Sequence, residues 1–188
     1  MNEQQSIQIA IELAKEQTPK GQRYLVNHFS DYLYAIAIRY MGNREDARDV
    51  LQKSWLRILD NIQQYDADRG QFKSWIARIT INVCLSEFRS KSTKLLPISE
   101  EALSHPDSDF SIIEKMTEQE ILQKIQLIPD HYRQVFNLSV IDGYSHKEIG
   151  EILNISEPLS RTRLKRAKQL LQQQFKGLAK KTPWIRTI

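Results

Sequence analysis

Apolar residues recur at intervals of three and four along almost the whole chain, and nowhere does an alternation with period two take over. That spacing puts side chains on one face of a helix, and only six glycines and six prolines interrupt it over 188 residues. The chain is expected to be all-α. Leu33, Ile36, Ala37, Tyr40 and Met41 form one stripe, stopped by Gly42 and Asn43, which can take the left-handed conformation that ends a helix. Ala47, Val50, Leu51, Ser54, Ile58 and Leu59 form the next, after an acidic first turn at Glu45 and Asp46 that suits the helix dipole. Beyond the polar loop QQYDADRG a third runs through Phe72, Trp75, Ile76, Ile79, Val83 and Phe88. With a shorter helix or two before them, these can close a small bundle.

Residues 95–113 carry two prolines and several small polar and acidic residues without periodicity, as a flexible linker does. Helical spacing resumes near Glu114 (Met116, Ile121, Ile125, Ile128), breaks at Pro129 and resumes with Val135, Phe136 and Val140. The expected organisation is a helical domain over 1–94, the linker over 95–113, a second helical domain over 114–176 and a basic tail over 177–188. Charge divides along the same lines. Residues 1–95 hold 14 Lys and Arg against 11 Asp and Glu, residues 96–130 hold 2 against 8, and residues 131–188 hold 11 against 4. Two basic ends suit a polyanionic partner, whereas the acidic middle would be repelled by nucleic acid.

The stretch SHKEIGEILNISEPLSRTRLKRAKQLL, residues 145–171, is the most specific signal. Ser145 and Glu148 have capping-box spacing, Ile149, Ile152 and Leu153 make a buried face, and Asn154 can supply the left-handed residue of the turn. Ile155 can plug the corner, and Ser156 can cap a second helix that tolerates Pro158 in its first turn. This is the grammar of a helix-turn-helix. On the second helix Ser160, Leu164, Ala167 and Leu171 share one side, leaving Arg161, Thr162, Lys165 and Lys168 on the other with Arg163 and Arg166 on the flanks. No acidic residue follows between Arg161 and Ile188. Such a face suits a DNA major groove, where cationic side chains reach phosphates and guanine edges. A solvated surface helix remains the simpler alternative.

The two halves together resemble an extracytoplasmic-function (ECF) sigma factor of the sigma-70 family. YLYAIAIRYMGNREDARDVLQKSWLRI followed by FKSWIARITINVCLSEFR is similar to the family's region 2, with Asp46-Ala47, Asp49, Gln52, Trp75 and the Asn82 to Arg89 spacing in place. LIPDHYRQVFNLSVIDGYSHKEIGEILNISEPLSRTRLKRAK resembles region 4. The resemblance implies that the first domain docks on core RNA polymerase through Asp49, Gln52 and Lys53 and captures the promoter −10 element as single-stranded DNA. Tyr65, Phe72 and Trp75 would offer stacking surfaces, Asn82 amide hydrogen bonds, and Lys73, Arg78 and Arg89 phosphate partners. Phe72 and Trp75 also suit a core, and Trp55 suits either a core or a docking surface. The second domain would bind the polymerase flap tip and read the −35 element with Arg161, Thr162, Arg163, Lys165, Arg166 and Lys168. An acidic linker would be drawn into the positive cleft of the polymerase, although linkers are also acidic for solubility alone. The chain departs from the family where Arg48 and Lys53 replace frequent acidic residues, where Ser86 replaces a frequent aspartate, and where Pro158, Leu159 and Ser160 replace the usual Gly-Thr-Val. Ser160 thus puts a small polar residue where an apolar one packs inward.

Two other classes stay open on the residues alone: a stand-alone helix-turn-helix regulator, and a polymerase adaptor brought to DNA by another targeting factor. An enzyme fits least, because His28, His105, His131 and His146 are scattered and neither a glycine-rich phosphate loop nor a ligand-spaced Cys/His cluster occurs. No metal or other cofactor is expected. Cys84 sits in an apolar pattern as a structural thiol. No apolar run approaches the length of a membrane span, and the first residues lack the basic start of a secretory signal. The expected setting is the cytoplasm, as a free monomer that joins polymerase and promoter DNA and is open to control by an anti-sigma factor.

Overall fold

The computed structural model describes residues 2–92 and 117–179. The linker over 95–113 and the tail beyond Ala179 lie outside these residues. Among the described residues every regular element is helical, and the chain divides into two compact units, Met1–Lys94 and Leu95–Ile188.

The first unit contains α1 (Glu3–Lys15), α2 (Pro19–Met41), α3 (Arg44–Asp60) and α4 (Phe72–Ser92). α2 is its spine, packing against α1, α3 and α4. Leu25, Phe29, Leu33, Ile36, Ala37, Tyr40 and Met41 line its buried side, so the apolar stripe expected from Leu33 onward extends two turns further toward the N-terminus. Thr18 caps that start and Pro19 occupies the first turn, where its missing N–H costs nothing. Gly42 alone takes the left-handed conformation that ends α2, at φ 80°. Asn43, expected to share that role, is extended and instead caps α3 by accepting the Asp46 N–H at 2.9 Å.

Trp55 is core: it is 7% exposed and its indole N–H donates to Ser30 Oγ at 3.0 Å. Ser54 and Thr80 are fully buried and bond the carbonyls of Val50 and Ile76 one turn back, which satisfies hydroxyls that would otherwise be stranded. Cys84 is a buried thiol. The polar loop between α3 and α4 is ordered by two 3-10 turns, Ile62–Gln64 and Ala67–Arg69.

The second unit contains α5 (Glu118–Gln126), α6 (Asp130–Phe136), a π-helical turn (Asn137–Ile141), α7 (His146–Leu153) and α8 (Glu157–Ala179). α5 begins at a capping box made by Thr117 and Glu120; Glu114 and Met116, where helical spacing is expected to resume, lie outside the described residues. α8 packs against α5, α6 and α7, and Ile125, Ile128, Ala167, Leu171 and Phe175 form one cluster of its core. Arg133, only 4% exposed, binds the carbonyls of Gln126 and Ile128 at 2.9 and 3.0 Å and Asp130 at 2.6 Å. It closes the C-terminal end of α5 onto α6. The wider π turn, held by Asp142 N–H to Asn137 C=O at 2.9 Å, breaks the helical register. As a result Asn137 and Leu138 are buried, whereas Val140, expected in the apolar pattern, is 49% exposed beside Ile141 at 43%.

The approach of α1 to α2 depends on Gly21. A Cβ there would sit 2.6 Å from the Ala14 backbone nitrogen and from Leu13 Cβ, and 2.8 Å from the Ala10 carbonyl oxygen. An unhindered helical Gly→Ala change stabilises by about 0.4–1 kcal/mol, but overpacking a helix contact costs about 1–3 kcal/mol. Gly21→Ala is expected to lower the melting temperature of the first unit by at least about 4 °C, read by calorimetry of the full chain. A raised or unchanged value would show that the helices are not in such close contact.

Candidate nucleic-acid and polymerase interface

The helix-turn-helix forms as its residue types require. Ser145 accepts the Glu148 N–H while the Glu148 carboxylate accepts the Ser145 N–H and hydroxyl at 2.8 and 2.7 Å, which starts α7. Asn154 ends it in the left-handed conformation at φ 54°. The chain then turns so tightly that the Ile155 N–H reaches the Gly150 carbonyl at 3.0 Å, and Ser156 Oγ caps α8 through Leu159 N–H at 3.3 Å. Gly150 matters here although nothing about its spacing marked it out. A Cβ on it would lie 2.8 Å from the Ile155 carbonyl oxygen, which belongs to backbone and cannot move aside.

On α8, Arg161, Thr162 and Lys165 are exposed. Arg163, Arg166 and Lys168 are half-buried; Lys168, seven residues after Arg161, stays on the same side of the helix as Arg161 and Lys165. Such residues bury their stems and keep their charged ends in water. Arg161 pairs with Glu157, one turn earlier, at 2.5 Å. The absence of acidic residues after Arg161 therefore overstated how unpaired this charge is. An exposed pair of this kind stabilises by only about 0.3–0.5 kcal/mol and is readily exchanged for a phosphate. Thr162 donates to the Pro158 carbonyl at 3.0 Å. Ser160, the unusual polar residue, is fully buried and lies 2.8 Å from His146 Nδ1.

In the first unit α4 gathers four of the expected contacts. At about 100° per residue, Trp75, Arg78, Asn82 and Arg89 fall within about 60° of one another over about 21 Å of helix. Trp75 is half-buried, and Arg78, Asn82 and Arg89 are exposed. The aromatic expectation divides. Tyr65 and Phe72 are core residues, 7% and 4% exposed, packed edge to face with ring centroids 5.0 Å apart. Burial pushes the Tyr65 phenol above its usual range, and its hydroxyl donates to the Gly70 carbonyl at 3.1 Å. They therefore shape the loop, and their rings support Trp75, 5.5 and 5.6 Å away, which keeps some surface of its own. Lys73 lies off this stripe, its ammonium 4.4 Å from the Tyr32 ring centroid on α2.

On α3, Asp49 and Gln52 are exposed and share a face with Leu56, which is 60% exposed. The three are spaced i, i+3 and i+7. A single exposed apolar side chain is ordinary on a protein surface; Leu56 stands on the side of α3 opposite its buried stripe, together with Asp49 and Gln52. Lys53 leans the other way, bonding Glu87 on α4 at 2.7 Å. Among the described residues no cluster of His, Cys, Asp or Glu could hold a metal, and no helix is long and apolar enough to cross a membrane.

Two helical units of this kind, one with a helix-turn-helix, define a class of DNA-engaging transcription protein. Residues 25–93 match the family model of Sigma-70 region 2, and residues 118–171 match that of Sigma-70, region 4. The chain is 31% identical over 166 residues to the ECF RNA polymerase sigma factor SigW of Bacillus subtilis, covering 82% of this chain and 88% of that protein. Two solved structures share the fold. The sigma factor RpoE in complex with the anti-sigma factor NepR from Bartonella quintana matches at 18% identity and TM-score 0.52, covering 82% of this chain and 96% of that one. CnrH in complex with the cytosolic domain of CnrY matches at 19% and 0.50, covering 92% and 98%. The chain belongs to the sigma-70 family as an ECF RNA polymerase sigma factor. It directs transcription initiation at promoters, so the regulator and adaptor readings, each of which leaves one unit without its task, are set aside.

The capping box of α7 carries a pH dependence. Hydrogen bonds from the Ser145 side chain, then its backbone, hold the Glu148 carboxyl below its usual range. A depressed folded-state pKa adds stability above the unfolded value of about 4.3, which is lost as pH falls through the folded value. Glu148→Gln, which stays neutral, is expected to unfold earlier in urea than the wild type at pH 7. The gap in midpoint should close as the pH is lowered below about 4, and a gap constant from pH 7 to 3 would refute this role for the carboxylate.

Proposed function

We propose that the first unit docks on core RNA polymerase through the Asp49, Gln52 and Leu56 face of α3 and receives the unpaired −10 strand along the α4 stripe. Lys53 contributes at the edge of that docking face through its bridge to α4. The second unit presents Arg161, Thr162, Lys165 and Lys168, flanked by Arg163 and Arg166, to the −35 element. The exposed pair Val140 and Ile141 offers the apolar surface for a polymerase flap contact. Tyr65 and Phe72 act through the loop they brace, and Lys73 through phosphate after leaving Tyr32.

The observation that carries this reading is the α4 stripe. One half-exposed indole, one amide and two guanidinium groups in a row supply stacking, base-edge hydrogen bonding and phosphate contacts along a single helix face.

The energetics make the protein a partner and not an autonomous melting factor. Opening about ten base-pair steps costs on the order of 14 kcal/mol at about 1.4 kcal/mol per step. Each captured base returns about 1–3 kcal/mol. The chain therefore traps a bubble that polymerase stabilises, and we place it as a non-catalytic subunit in the cytoplasm. The NepR complex of its structural neighbour supports an anti-sigma factor as a further partner.

Run-off transcription from a genomic fragment pool with core polymerase tests the assignment. The chain is expected to create start sites that core polymerase alone lacks. Trp75→Ala should lower open-complex formation about five- to hundredfold, the equivalent of one stacked base, while leaving polymerase binding intact. Leu56→Asp should instead weaken polymerase binding. New start sites that survive Trp75→Ala undiminished would remove α4 from strand capture.

A further inference from the structure

Buried polar residues are held in place by a partner or are costly, and Ser160 is the one polar residue of the first turns of α8 that is fully buried. Its hydroxyl meets His146 Nδ1, in the first turn of α7, at 2.8 Å. Burial pushes the imidazole pKa down, Arg161 and Lys168 add to this and Glu157 opposes them. The ring is therefore neutral near pH 7, with Nδ1 able to accept the Ser160 O–H.

The position of this contact is informative. α7 and α8 already meet at the turn, where Ile155 N–H bonds Gly150 C=O. His146 lies four residues from Gly150, about 6 Å along α7. A single attachment at the turn would let α8 swing about that point. The fully buried Ile149 resists separation of the helices, but apolar contact is non-directional. A hydrogen bond has a preferred distance and angle, and a second one 6 Å away fixes the angle between the helices. Reading a base edge tolerates only about 0.5 Å or 10–20° of misplacement. The next residue after Ser160 is Arg161, on the exposed face, with Lys165 one turn beyond.

We infer that the Ser160–His146 hydrogen bond is a positioning contact that sets the angle of α8 and thereby the sequence discrimination of the −35 readout. Neither residue needs to touch DNA. The inference rests on the −35 reading of α8 given above.

The test uses holoenzyme assembled from core polymerase and the full chain, selecting from a pool of duplex fragments randomised across the upstream half of a start site found in the run-off experiment. In wild type the selected fragments should share an upstream motif. Ser160→Ala and His146→Ala are expected to reduce discrimination between the best fragment and single mismatches about fivefold, the worth of about one hydrogen bond. Selection in the downstream half should not change. His146→Asn, whose amide oxygen can take the place of Nδ1, should restore discrimination to within about twofold. Ser160→Val, which fills the space without a hydroxyl, should not restore it, whereas a packing role would be rescued by it. Unchanged upstream discrimination in both alanine variants, or His146→Asn behaving as His146→Ala, overturns the positioning role while leaving the −35 reading standing. A wild-type holoenzyme with no upstream preference overturns the −35 reading and this inference with it.

Discussion

The N-terminal amides of a helix have no partner within it, and in this protein polar side chains supply one at start after start. Asn2, Thr18, Asn43, Thr117, Ser145 and Ser156 each accept a backbone N–H at the head of a helix. The effect is largest in the second unit, where α5, α6 and α7 are nine, seven and eight residues long. Helices below about 12 residues are marginal alone. Capping boxes decide where α5 and α7 begin, α6 starts after Pro129 without a side-chain cap, Arg133 closes α5 onto α6, and burial against α8 makes all three persist. The shape of the cationic surface follows, because the start of α8 fixes which cations lie on its open side.

Local signals were legible because their physics is local. The helix-turn-helix could be read residue by residue from Ser145 to Ser156, since each cap and turn needs only its near neighbours. The start of α2 was marked by Thr18-Pro19, and that of α5 by Thr117 and Glu120, yet both were passed over in favour of the apolar stripes further along. Val140 misled for another reason: the π turn inserts a residue into the period, and no single residue type announces it.

What the sequence does not carry is which side chains meet across the fold. Tyr65 and Phe72 have the composition of a stacking platform, and only their mutual packing shows that the rings face inward. Lys73 and Lys53 are cations near the expected contacts, but Tyr32 and Glu87, from other helices, draw them aside. Ser160 reads as a defect in a buried stripe because its partner lies fourteen residues away, on the preceding helix. Polar residues at apolar positions are best judged by asking what could satisfy them.

α2 backs both α3 and α4, and the Lys53–Glu87 bridge ties those two helices to each other as well. The proposed docking face of α3 and the proposed strand-binding stripe of α4 therefore rest on one shared core. A heat-sensitive allele in the Leu33 to Met41 segment would forfeit both at the same temperature, whereas a change confined to either exposed face would leave the other standing.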